Sequence, residues 1–163
     1  MTMRNTSLHI DVIAVGKLKE DYWIQACANY YKRLARYAAL TLTEVNDQGA
    51  RSTSEQANAL RVEASQLRRK IPKDAYVVML DSAGAQLSSE GIADFIRNLQ
   101  DRGGRRACFV LGGSWGLDKE LKAEAGMLLS LGPITLPHNL ARVVLLEQLY
   151  RAFKIITHEP YHK

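Results

Sequence analysis

Short apolar segments alternate strictly with longer amphipathic segments along this chain of 163 residues. The apolar segments have the length and composition of β-strands, and the amphipathic segments repeat their apolar residues at helical spacing. The stretches that join successive strands are too long for hairpins, so these strands are expected to run parallel. The pattern, repeated five times, predicts an α/β fold with a mostly parallel sheet and helices on both faces.

Element boundaries follow from β-branched runs, capping residues and glycines. The predicted strands cover residues 8–15, 40–45, 76–81, 107–111 and 134–136. The predicted helices cover residues 20–35, 52–71, 88–103, 118–130 and 140–156, and Asn139 is the expected cap of the last one. Ser82, Ala83 and Gly84 are predicted to turn the chain after the third strand. A single domain is expected to span residues 1–163.

Composition indicates a cytoplasmic protein with an anionic partner. A net charge of +5 makes nucleic acid the foremost candidate for that partner. No apolar stretch approaches the roughly 20 residues that a membrane span needs. Cys27 and Cys108 lack the spacing of a metal site and are expected in the core, and the four histidines do not group as ligands, so no metal is expected. A basic run at residues 68–70 suits the negative end of a helix dipole.

Ligands of open α/β sheets bind at the carboxyl ends of the strands, where the loops converge. Three loops qualify here: residues 81–84, the glycine loop GGSWG at 112–116, and the segment that follows Leu136. Paired glycines let backbone amides approach a ligand closely. The loop matches neither the GxGxxG fingerprint of dinucleotide-binding folds nor the GxxxxGK[ST] fingerprint of P-loops. No nucleophile is identifiable from spacing.

Arg142 stands out because it falls within the apolar stripe of the last predicted helix, in its first turn. A buried guanidinium needs a partner, and the helix dipole disfavours a cation at this end. Two interpretations stay open, namely a structural ion pair and a functional contact with an external anion. His138 precedes the helix and can point into whatever cavity the helix start faces, although a lone histidine there is more often structural.

Several motifs together resemble the RlmH family, the small SPOUT-class methyltransferases of ribosomal RNA. The motifs are LGG with SWGL, LPHNLARVVLLEQLYRAFKI and the terminal EPYHK, supported upstream by IDVIAVGKLKEDYW and MLDSAGAQLSSEG. The resemblance covers nearly the whole chain. It implies a C-terminal trefoil knot that binds S-adenosylmethionine, a homodimer, and methylation of N3 of a pseudouridine in large-subunit ribosomal RNA. It further implies that the substrate is the assembled ribosome.

The resemblance also assigns site residues. The implied cofactor contacts are Leu80, Gly112, Leu131, Gly132, Pro133, Ile134, Thr135 and Leu136. The implied catalytic candidates are Arg142, His138 and Tyr150. The implied RNA contacts are Arg142, Arg151, Tyr161, His162 and Lys163. An RNA phosphate or the cofactor carboxylate would then be the anion that Arg142 needs.

Two other functions compete with this one. A ribosome-associated assembly factor could keep the fold without catalysis, and it would bind ribosomes but no S-adenosylmethionine. An NAD-dependent oxidoreductase could share the α/β architecture. The missing GxGxxG motif, and the absence of an acidic residue suitably placed after such a loop, argue against the oxidoreductase.

Overall fold

The computed structural model describes residues 7–161, which form a five-stranded parallel sheet with the strand order β2-β1-β4-β3-β5. The strands are β1 His9–Val15, β2 Ala39–Val45, β3 Tyr76–Gln86, β4 Arg106–Leu111 and β5 Met127–Ser130. The helices are α1 Asp21–Leu34, α2 Thr53–Lys70, α3 Ser89–Asp101, α4 Lys119–Ala123 and α5 His138–Ile156. The predicted α/β class and the fivefold strand-helix alternation are confirmed.

Apolar side chains of the strands point alternately to the two faces of the sheet, and both faces are covered. Val12 and Ala14 of β1 belong to a core built with α1, α3 and α5. Ile13 and Val15 belong to a second core with α2 and α4. A strand buried on both faces is expected to carry a near-continuous apolar run, as β1 does from Val12 to Val15. Cys27 and Cys108 are buried and unpaired in these cores, as predicted.

The region between β3 and α5 differs from the prediction. Residues 81–84 do not turn the chain, because β3 continues to Gln86 with a register shift between Leu80 and Ala85. A Cβ on Gly84 would lie 2.6 Å from the carbonyl carbon of Leu128, so glycine permits this close approach to β5.

The predicted helix 118–130 is wrong because α4 ends at Ala123 and Met127–Ser130 pairs with β3 as the fifth strand. The segment 134–136, predicted as a strand, is irregular. Short apolar runs cannot be assigned to strand or helix from periodicity alone, and only the pairing with β3 decides this one.

Helix α5 begins earlier than predicted. The Pro137 carbonyl accepts from the Ala141 amide at 2.9 Å, so His138 is the first helical residue and Asn139 is not the cap. Proline suits this position because it has no amide hydrogen to leave unsatisfied. The helix packs between α1 and α3 on one face of the sheet. The implied knot stays a prediction.

Two further findings concern residues 7–161 as a whole. Among these residues, no helix combines the length and the apolar character needed to cross a bilayer. In the same range, no cluster of three or more histidine, cysteine, aspartate or glutamate side chains could bind a metal ion.

Candidate functional site

A cavity of about 290 Å³ lies at the carboxyl ends of β3, β4 and β5. Its walls come from the end of β3, the glycine loop after β4, and the irregular segment between β5 and α5. All eight residues that were predicted to contact the cofactor line it: Leu80, Gly112, Leu131, Gly132, Pro133, Ile134, Thr135 and Leu136. The structure thus brings these residues together, and cofactor binding by them stays a prediction.

The glycine loop forms a tight turn whose backbone is part of the cavity wall. The Gly116 amide donates to the Gly113 carbonyl at 3.1 Å, and Gly116 has a φ of 79°. A Cβ on Gly112 would lie 2.3 Å from the Gly116 carbonyl oxygen. No side chain fits at Gly112 unless the backbone moves, so the main chain itself faces the cavity there.

The segment after β5 is held by its own hydrogen bonds. The Ser130 hydroxyl donates to the Gly132 carbonyl at 3.1 Å and accepts from the Gly132 amide at 3.2 Å. Gly132 has a φ of 119°, a conformation that favours glycine. Ile134 is 72% exposed at the rim of the cavity. Sequence reasoning missed Ser130, because the residue was assigned to a helix that does not form.

His138 lines the cavity from the first residue of α5, as its position before the predicted helix suggested. Asp81 and Ser82 also line it, and both lie in the stretch of β3 where the register with β5 shifts. The Asp81 carboxylate lies 3.3 Å from the Lys122 ammonium group. The cavity therefore combines leucine side chains, exposed peptide groups and a few polar side chains, which is the usual composition of a small-molecule site.

Arg142 is only 5% exposed and does not line this cavity. Its Nη1 atom donates to the Glu44 carboxylate at 2.7 Å, and its Nη2 atom donates to the Gly16 carbonyl at 2.9 Å. Its buried Nε atom has no hydrogen-bond partner within residues 7–161. Of the two interpretations left open, the structure shows the ion pair, because Glu44 supplies a carboxylate to Arg142. A catalytic or RNA-binding role of Arg142 stays a prediction.

Tyr150 is buried against α1 and the C-terminal tail. Its ring lies 6.2 Å from the ring of Tyr37 and 5.0 Å from the ring of Tyr161. It is absent from the residues that line the cavity, so within the described chain the structure does not bring it to His138.

The tail reverses direction after α5 and lies back along that helix. His158 has a φ of 54°, and the Tyr161 hydroxyl donates to the Glu147 carboxylate at 3.1 Å. The Arg151 guanidinium lies 4.4 Å from the centre of the Tyr161 ring and also donates to Glu147, at 2.8 Å. Burial, and then the bond to Glu147, raise the pKa of Tyr161 to about 12. His162 and Lys163 lie outside the described residues.

Glu159 stabilises the reversal of the chain after α5 through hydrogen bonds. Its carboxylate accepts from Lys154 at 2.7 Å, from Tyr37 at 2.9 Å and from Thr157 at 3.0 Å. These hydrogen bonds, led by that from Lys154, lower the pKa of Glu159 from 4.5 to about 2. The tail is thus joined both to α5 and to the segment that follows α1.

Comparisons with known proteins agree over almost the whole chain. A family model described as a predicted SPOUT methyltransferase matches residues 8–162. A protein named ribosomal RNA large subunit methyltransferase H from Carboxydothermus hydrogenoformans is 44% identical over 159 residues, which are 96% of this chain and 100% of that protein. The protein of the same name from Natranaerobius thermophilus is 45% identical over 93% of this chain and 97% of its own.

A solved structure shows the same fold at low sequence identity. The crystal structure of a probable methyltransferase from Bordetella pertussis Tohama I aligns with a TM-score of 0.56 at 15% identity, over 92% of this chain and 99% of that one. The family match and the two relatives decide the assignment. The chain belongs to the SPOUT methyltransferase family, among the ribosomal RNA large subunit methyltransferase H proteins.

Proposed function

We propose that this protein methylates N3 of a pseudouridine in large-subunit ribosomal RNA within the assembled ribosome. Methylation of large-subunit ribosomal RNA is the activity named for relatives that match more than nine-tenths of the chain. The observation that carries the proposal is the convergence of all eight implied cofactor residues on one cavity at the strand ends. The site of action would be the cytoplasm, where ribosomes work.

S-adenosylmethionine is the methyl donor of SPOUT methyltransferases, and family membership makes it the cofactor of this chain. The cavity fits such a group. Leu80, Leu131 and Leu136 offer apolar surface for a purine ring. Gly112 would contribute only its backbone groups to holding the cofactor, because the space beside it admits no side chain. When bound, the cofactor supplies a methyl group already activated by a sulfonium centre.

The protein then has to hold the target nucleobase and help to remove its N3 proton. Of the three implied catalytic residues, His138 alone lines the cavity within the described chain. We assign to its imidazole the contact with the uracil ring, where a ring nitrogen can accept the N3 proton. Arg142 would position His138 without touching the substrate. Its bonds to Gly16 and Glu44 fix the N-terminal part of α5 to the ends of β1 and β2.

The direction of the tail supports a homodimer with a shared site. Glu147, which holds the Tyr161 hydroxyl, follows His138 by nine residues in one helix. Nine helical residues correspond to about 14 Å of rise and about 180° of rotation, so Tyr161 lies on the face of α5 opposite His138. Tail residues that contact RNA would therefore bind the RNA at the cavity of a second copy of the chain, and not at the cavity of their own chain. Pairing would also double the positive charge presented to RNA.

The test is methyl transfer in vitro to ribosomes from a strain without this modification. Labelled S-adenosylmethionine should methylate one nucleotide of the large-subunit RNA, and mass mapping should identify it as N3-methylpseudouridine. Removal of residues 160–163 should abolish transfer while calorimetry shows unchanged cofactor binding. Label on another nucleoside would contradict the specificity, and full transfer by the truncated protein would contradict the role of the tail.

A further inference from the structure

A second feature lies at the opposite edge of the sheet from the cavity. The C-terminal end of α2, the loop into β3 and the α3–β4 connection together present five exposed cations, here called the basic edge. The residues of the basic edge are Arg69, Lys70, Lys73, Arg102 and Arg105. Sequence spacing gives no reason to group them, because the first three and the last two are about 30 residues apart.

The sheet brings these two segments side by side. Tyr76 of β3 lies opposite Ala107 of β4 in the parallel ladder, so the residues that precede the two strands are neighbours. The Arg106 guanidinium lies 3.9 Å from the Asp74 carboxylate, which shows how close the two connections come. The His9 amide donates to the Arg105 carbonyl at 2.8 Å, which extends the contact to the start of β1.

The cations of the basic edge are not neutralised locally. Within residues 7–161, none of the five forms an ion pair with a carboxylate, whereas the neighbouring Arg68 and Arg106 pair with Glu124 and Asp11. Asp74 and Asp101 are the exposed acids of the same connections. The helix dipole accounts for cations at the end of α2, but Lys73 and Arg105 lie outside the helices, where that effect has faded.

The edge that carries the cavity has no comparable excess of positive charge. Its strand-to-helix loops, taken with the first residue of each following helix, carry as many carboxylates as cations. These residues are Lys17, Lys19, Arg51 and Lys119 against Glu20, Asp21, Asp47 and Asp118. Affinity for RNA depends mainly on cations placed against backbone phosphates. The attraction that an RNA-modifying enzyme needs is therefore concentrated away from the cavity.

We propose that the basic edge is a separate ribosomal RNA docking surface, which binds backbone phosphates of the large-subunit RNA outside the modified nucleotide. The proposal rests on the proposed function for the identity of the RNA. Strand β4 has six residues, so the basic edge and the cavity of one chain are roughly 20 Å apart. Contacts at that distance hold the enzyme on the ribosome without taking part in methyl transfer.

The test compares two variants with equal loss of charge. The docking variant combines Arg69→Gln, Lys70→Gln, Arg102→Gln and Arg105→Gln. Its matched control combines Lys17→Gln, Arg51→Gln, Arg61→Gln and Lys119→Gln, all exposed positions outside the basic edge. Each lost phosphate contact lowers the slope of log affinity against log salt by about 0.7–0.9. The docking variant should lower the slope for ribosome binding by about 3 and raise the KM for ribosomes about tenfold or more.

The same experiment defines what overturns the proposal. The kcat at saturating ribosomes and the Kd for S-adenosylmethionine should match those of the wild type. An unchanged KM and salt slope, an equal effect in the matched control, or a loss confined to kcat would each refute the docking surface. If the wild type binds ribosomes but transfers no methyl group, the proposed function fails, while the salt slopes of the two variants still decide on the basic edge.

Discussion

Replacing Arg142 with alanine should destabilise the fold, because the side chain joins three elements. The side chain is only 7% exposed, and its guanidinium is bonded to Glu44 near the end of β2 and to the Gly16 carbonyl after β1. Alanine would leave the Glu44 carboxylate without its cation and the Gly16 carbonyl without a donor. It would also leave a cavity beside α1, where Cys27 and Tyr31 already border an open space of about 540 Å³.

The expected magnitude follows from these contacts. Breaking a buried ion pair costs about 3–5 kcal/mol, and hydrogen bonds to charged groups are worth about 1.5–3 kcal/mol each. Glu44 is 34% exposed and regains part of its hydration when the arginine is lost, so the cost is smaller than the sum. We expect a loss of about 2–4 kcal/mol in the free energy of unfolding. For a domain of this size that lowers Tm by about 4–16 °C.

Chemical and thermal unfolding followed by circular dichroism would measure the effect. Glu44→Gln is the control, because its amide oxygen can still accept from Arg142, and we expect a loss of about 1 kcal/mol. Methyl transfer is then compared well below both melting temperatures. An Arg142→Ala variant within about 0.5 kcal/mol of the wild type would refute the structural role assigned to the pair. Full transfer by that variant would refute its role in the site.

Three further predictions concern the cavity, the tail and the thiols. Gly112→Ala should abolish S-adenosylmethionine binding in calorimetry, because its Cβ would lie 2.3 Å from a carbonyl oxygen, whereas Gly91→Ala, with 3.4 Å of clearance, should not. The pKa of Glu159 is lowered from 4.5 to about 2, so its bonds stabilise the tail above pH 4.5 and are lost as the pH falls towards 2. Proteolysis should therefore nick the wild-type tail only at low pH, and the Glu159→Ala tail also at neutral pH. Burial raises the pKa of Cys108 to about 12, so thiol reagents at pH 8 should label it only after unfolding.

Much of the fold was predictable because buried parallel strands have an unmistakable composition. β1 and β4 each contain an apolar run of four or more residues that a glycine follows, and both were predicted within two residues. The fifth strand was not predictable, since Met127–Ser130 has four residues and continues an apolar pattern from α4. Its identity depends on pairing with β3, which is a contact between residues about 50 positions apart.

The candidate site, too, was predictable from the sequence only in part. Loops at the carboxyl ends of parallel strands converge, so the glycine loop and the segment before α5 could be placed together from the strand pattern. The resemblance to a family supplied the individual residues. The partner of Arg142 could not be predicted, because Glu44 is 98 residues distant and reaches it only through the packing of α5 on the sheet. The basic edge likewise exists only after β3 and β4 have paired.

The central claim is that the cavity at the ends of β3, β4 and β5 presents a methyl donor to a pseudouridine of the ribosome. Mass mapping of ribosomal RNA from a deletion strain, complemented with the wild type or with Gly112→Ala, tests it most directly. We expect N3-methylpseudouridine to be missing from the large-subunit RNA of the deletion strain. It should return with the wild type and stay missing with the variant. Full modification in the deletion strain would contradict the account.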